Sequence, residues 1–128
     1  MSNPIGYADR PGLHRSAAAW LAPTQLVILP ISGTELPNAA ALARRCARLG
    51  LRAQVVGPDR GGLGARIREA RPVPYQAVIG AREASADHVA PRLRDGCRLD
   101  PQPVSDVIDR ISALIAAHST ELWTDAAS

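Results

Sequence analysis

Residues 25–31, Gln-Leu-Val-Ile-Leu-Pro-Ile, form a near-continuous apolar run between Pro23 and Gly33. A strand buried on both faces has this pattern because neither side meets water, and such strands lie centrally in α/β sheets. From Leu36 the period changes. Ala39, Leu42, Ala43, Cys46 and Leu49 share one helical face, Arg44, Arg45 and Arg48 fall outside it, Pro37 suits the first turn and Gly50 the stop. A second strand is expected over Arg52–Val56 and a short helix over Ala65–Ala70, with the glycine-rich stretch Asp59–Gly64 between them. A third strand is expected over Tyr75–Ile79. His88–Leu93 and Cys97–Leu99 read as two shorter strands joined at Asp95-Gly96. The last element is the clearest: Val104, Val107, Ile108, Ile111, Leu114 and Ile115 make one apolar stripe, with Asp106, Asp109 and Arg110 outside it.

The order is therefore β-α-β-α-β-β-β-α, an α/β fold. Right-handed crossovers place the first three strands in a parallel core with helices on both faces. Val27, Ile28, Val55, Val78, Ile108 and Ile111 are the expected core. Residues 1–19, with Pro4, Gly6, Pro11 and Gly12, read as a flexible lead-in in which 16–21 could form a short helical turn. Residues 20–117 read as one domain and 118–128 as a C-terminal tail.

Charge changes the picture. All 15 basic residues are arginine, so Schiff-base lysine chemistry and a P-loop lysine are excluded. Residues 44–98 hold 12 arginines against five carboxylates, a balance of +7, whereas residues 99–128 hold one against five. A basic middle beside an acidic end is the electrostatic footprint of a polyanion binder. Arginines scattered over solvated faces would give the same tally. Arg60, Arg66, Arg68 and Arg71 fall within twelve residues of one another, around a loop that could cradle a phosphate or serve as a plain tight turn.

Cys46 and Cys97 are too far apart for a C-x-x-C pair and read as buried thiols. His14, His88 and His118 have no metal-ligand spacing. No metal, cofactor or catalytic set is expected. No apolar run approaches a membrane span and the start lacks a secretory pattern, so a cytoplasmic protein is expected.

Several blocks resemble one family. Trp20-Leu21-Ala22-Pro23-Thr24-Gln25 before an apolar strand is similar to the opening of the anticodon-binding domain of threonyl-tRNA synthetases, as is Arg48-Leu49-Gly50-Leu51-Arg52. Gly62 to Glu69 and Val73-Pro74-Tyr75 resemble that family's I-G-x-K-I-R-E and V-P-Y signatures. Gly80-Ala81-Arg82-Glu83 and Val89 to Gly96 resemble its G-x-K-E and V-x-V-R-x-R-x-G blocks. The resemblance implies a five-stranded mixed sheet flanked by three helices. It also implies a tRNA-binding module that grips an anticodon loop, with threonine tRNA the first candidate. Glu83 and Arg92 would contact the middle base, and Arg60, Arg66, Arg68 and Arg94 would complete the RNA surface.

Asp59-Arg60-Gly61-Gly62 stands where the family has R-N-E-K, so Arg60 replaces an asparagine that helps to read the third base. The chain lacks room for a class II catalytic domain before Trp20, so a free-standing domain that performs no aminoacylation is expected. The alternative is a protein-interaction module that docks onto a synthetase or another partner, or onto a second copy of itself. Under either reading Trp20 and Trp123 are the expected large groups on an exposed contact face.

Overall fold

Strand β1 (Leu26–Pro30) is buried at every position, as its unbroken apolar run requires, in a computed structural model that describes residues 18–123. The other strands are β2 (Ala53–Val55), β3 (Tyr75–Ile79), β4 (His88–Leu93) and β5 (Gln102–Pro103). They form one sheet in the order β2-β1-β3-β4-β5. β1 runs parallel to β2 and β3, whereas β3–β4 and β4–β5 are antiparallel. The sheet is mixed, and its first three strands are the parallel part expected from the crossovers. Among the described residues four α-helices accompany it: α1 (Leu36–Arg48), α2 (Leu63–Glu69), α3 (Ala81–Ala86) and α4 (Val104–Ala116).

The two sheet faces are covered unequally. On one face Leu26, Ile28, Tyr75, Ala77, Ile79, Val89 and Leu93 pack against Ala39, Leu42 and Cys46 of α1 and Val104, Val107, Ile108 and Ile111 of α4. This is the main core, built by two 13-residue helices whose apolar stripes match those read from the sequence. Burial pushes the Cys46 thiol up to about 11. The opposite face carries a smaller cluster, Val27, Leu29 and Ala70, flanked by Leu63, Ile67, Val73 and Val78. Among the described residues only α2, of seven residues, covers it. Val55 and Val78 are half-buried rather than fully enclosed.

Three elements differ from the sequence reading. The segment 97–99 turns back beside β4, and Leu99 donates to the Pro91 carbonyl at 2.9 Å. It makes only an isolated Arg92–Arg98 bridge, because Pro91 has no N–H with which to continue the ladder. The fifth strand forms later, where Gln102 and Pro103 pair with Val89 and His88. A short helix, α3, follows β3. Its first turn is capped by Glu83, whose Oε1 accepts from the Gly80 N–H at 2.8 Å. Six residues are too few to leave an amphipathic signal. Gly80 leaves room for that cap, since a Cβ would lie 2.8 Å from Glu83 Oε1 and 3.0 Å from Ile31 Cδ1 and would push these side-chain ends aside. α2 begins at Leu63 rather than Ala65, with Gly62 as its N-cap.

The ends of the domain are also revised. The expected lead-in lies outside the described residues up to 17, and a 3-10 turn occupies Ala19–Leu21. Gln25 ties it down: Nε2 donates to the Ala19 carbonyl and Oε1 accepts from the Arg52 N–H. At the other end the folded unit runs beyond 117. Tyr75 donates its hydroxyl to the Leu122 carbonyl at 2.7 Å, and Leu122 and Trp123 pack against the main core. The tryptophans are not the open contact groups expected of them. Trp20 stacks on His118 at 4.7 Å, and Trp123 lies under the Arg110 guanidinium at 5.0 Å. The large apolar residues most open to solvent are Leu21, Ile31, Leu36 and Leu49.

Ile111, 1% exposed between α4 and the sheet, tests the main core. Ile111→Ala should lower stability by roughly 2–5 kcal/mol, read as a fall in the midpoint of urea unfolding. An unchanged midpoint would contradict this packing.

Candidate nucleic-acid interface

The sheet alternation decides which side chains share a surface. Gln76 lies opposite Arg92, and Val78 opposite Ala90, across the β3–β4 pair. These four therefore stand on the same face as Val27 and Leu29, the face that only α2 covers. Because α2 sits over β1, it leaves a cleft on each flank. Toward β4 the cleft has a volume of about 290 Å³ and is lined by Ile67 and Arg71 beside Gln76, Arg92, Arg94 and Asp95. Toward β2 the cleft measures about 340 Å³ and is lined by Gln54, Val56, Arg60 and Glu69.

Positive charge gathers in the first cleft. Arg92 is half-buried on β4 and bridges to Arg98 on the returning segment. Burial first, then the like charges of Arg98 and Arg71, lower the Arg92 guanidinium from its usual range. Like charges held this close are stabilised by an anion, and guanidinium forks suit phosphate and the acceptor edges of bases. Arg68 is exposed on α2 and Arg60 is exposed in the turn before it. Five of the six residues singled out from the sequence are at least partly accessible, and Arg92 and Arg94 line one cleft.

Arg66 is the exception and is withdrawn from the RNA surface. It is 1% exposed. Its Nε donates to the Gly61 carbonyl at 2.8 Å, Nη1 to those of Pro30 at 2.7 Å and Val56 at 3.0 Å, and Nη2 to that of Ile31 at 3.3 Å. The glycine-rich loop is thus a turn cinched by a buried arginine. Glu83 stands apart from the arginine cleft. It follows the C-terminal end of β3, whereas Arg92 is level with Gln76 near the start, a separation of about 10 Å along the strand. It lines a different, smaller cavity with Asn38, Arg45, Asp87 and His88. Arg45 pairs with Asp87 at 3.5 Å across that cavity's rim.

One cleft residue and one neighbour of Arg92 escaped the sequence reading. Arg98 was hidden in an expected strand, and Gln76 left the only available signal, a polar residue at the second position of a strand buried at four of its five positions. Among the described residues no group of three or more His, Cys, Asp or Glu is placed to hold a metal ion. No described helix is long and apolar enough to cross a membrane.

The model of the family described as "Anticodon binding domain" matches residues 25–114. The chain belongs to that family. It is 37% identical over 102 residues to the threonine–tRNA ligase of Synechocystis, covering 79% of this chain and 17% of that protein. To the threonine–tRNA ligase of Leifsonia xyli it is 36% identical over 100 residues, 77% of this chain and 14% of that protein. The chain thus spans less than a fifth of the length of these relatives.

Among solved structures, the RNA binding domain of threonyl-tRNA synthetase from Cryptosporidium parvum superposes with a TM-score of 0.69 at 23% identity. The match covers 83% of this chain and 26% of that one. Prolyl-tRNA synthetase from the same organism gives a TM-score of 0.69 at 18% identity, over 79% and 22% of the two chains. These likenesses show the fold, the five-stranded mixed sheet described above.

Within this anticodon-binding domain Arg66 is a structural bolt, and a substitution separates that role from RNA contact. Arg66→Met leaves four carbonyls without their cationic donor, and hydrogen bonds to charged groups are worth about 1.5–3 kcal/mol each. Unfolding by urea should show a loss of at least ~3 kcal/mol. Arg66→Lys should not restore it, because an ammonium cannot reproduce the planar fork. Stability equal to wild type in Arg66→Met would contradict the bolt.

Proposed function

We propose that the chain binds the anticodon loop of a tRNA, threonine tRNA being the first candidate, across the half-open sheet face. The observation that carries this reading is the convergence of Arg71, Arg92, Arg94 and Arg98 at the β4 flank of α2. In this reading Arg92 donates to the middle base of the loop, and Glu83, in a separate cavity about 10 Å farther along the strand, is tested as a second base contact. Arg60, Arg68 and Arg94 hold phosphates. The relatives are ligases, but the matched region is a small part of each. The chain is accordingly proposed to supply the RNA grip and not the aminoacylation step.

Titration of a labelled anticodon stem-loop by fluorescence anisotropy at two salt concentrations tests this. Phosphate-driven binding should weaken steeply as salt rises. Arg68→Ala should weaken every RNA about equally and reduce the salt slope by about one. Arg92→Ala should cost about 1–3 kcal/mol on a guanine-centred loop and less on others. Glu83→Gln keeps an oxygen for the Gly80 cap while removing the charge. It should weaken the guanine-centred loop if the carboxylate accepts base hydrogens. Tighter binding to every RNA would instead show that Glu83 only repels the backbone. Absence of salt-dependent loop binding would overturn the proposal as a whole.

A further inference from the structure

Gln76 is an amide in an otherwise apolar strand, and only 6% of it reaches solvent. Its Nε2 donates to the Ile67 carbonyl at 3.2 Å. That contact fixes the amide's rotation, since only the NH2 end can face a carbonyl oxygen. Oε1 is thereby turned away from α2, and it has no hydrogen-bond partner among the described residues. A buried acceptor left unpaired is costly and uncommon in folded proteins. This one belongs to a residue that lines the arginine cleft, directly across the strand pair from Arg92.

The surroundings select the chemistry of what would pair it. Arg71 and Arg92 offer N–H groups and call for acceptors. Asp95, also in the lining, already accepts from the Cys97 N–H at 3.0 Å. A phosphodiester carries acceptors only, so it would satisfy the guanidiniums and leave Oε1 as it was. The edge of a nucleobase presents an N–H beside a ring nitrogen or carbonyl oxygen, which matches Gln76 and Arg92 together. The geometry points to Gln76 as a base-reading residue, its Oε1 accepting an N–H from the same base to which Arg92 donates. This inference rests on the reading of the open sheet face as the RNA surface. It adds a residue that neither the family pattern nor the charge map supplies.

The test uses five anticodon stem-loops, one for each base at the middle position and one abasic there, titrated against wild type, Gln76→Met and Gln76→Glu, each checked by a thermal melt. Wild type should prefer one base over the abasic loop by roughly tenfold to a hundredfold. Gln76→Met, with similar length and no carbonyl, should bind the preferred loop about tenfold more weakly than wild type while the abasic loop and the salt slope are unchanged, Arg92 keeping the remaining preference. Gln76→Glu keeps an acceptor and should keep the ranking of bases. If Gln76→Met keeps the full wild-type preference for one base over the abasic loop, or if folded Gln76→Glu loses the ranking, Gln76 reads no base while the RNA-binding reading stands. Equal binding of all five loops by wild type also overturns the inference, leaving a phosphate-only RNA binder. If wild type binds none of them, both readings fall.

Discussion

The guanidinium of Arg66 holds together the half of the molecule that has the least apolar packing. Its hydrogen bonds reach four carbonyls, two at the end of β1, one just past β2 and one in the glycine-rich turn. No carboxylate balances this charge among its hydrogen-bond partners, so the oriented carbonyl dipoles do. They gather there because β1 and β2 run parallel and so finish at the same end of the sheet. A seven-residue helix over a small cluster of Val27, Leu29 and Ala70 is a weak lid by itself. Fastening it by one buried fork sets where α2 lies, and that sets the width of the clefts on either flank.

The asymmetry of the sheet follows from this arrangement. One face is closed by two long amphipathic helices and supplies the main core. The other is closed only over β1, so β3 and β4 keep a polar strip of Gln76 and Arg92 between apolar neighbours. Arg71 from the end of α2 and Arg98 from the returning segment add like charge to that strip. Such a surface is unfavourable in isolation, because the arginines repel one another. Contact with a polyanion would offset that repulsion, which would link the fold's weakest packing to the proposed ligand.

Much of this fold is legible in the sequence where periodicity is long. The apolar run of β1 and the stripes of α1 and α4 each extend over several turns or a full strand, and the structure has them within a residue or two. Elements set by one local contact are not legible: α3 depends on the Glu83–Gly80 cap, and the delayed fifth strand depends on the missing N–H of Pro91. The site divides in the same way. Arg60, Arg68 and Arg92 are accessible where the charge tally places them. Arg66, two residues from Arg68, is nearly solvent-free because a helix places neighbours two apart on different faces. Nothing in the composition distinguishes these two arginines. Gln76 matters for the reverse reason: one polar letter in an apolar strand is a weak signal until its oxygen is seen to lack a partner.

The central claim is that RNA lies on the half-open face of the sheet and not on the helical face. Backbone amide shifts of isotope-labelled protein, recorded during addition of an anticodon stem-loop, map that directly. RNA on the half-open face should perturb Arg71, Gln76, Val78, Ala90, Arg92 and Arg98 and leave the exposed faces of α1 and α4 unchanged. Shifts confined to α1 and α4, around Arg44, Arg48 and Asp109, would contradict it.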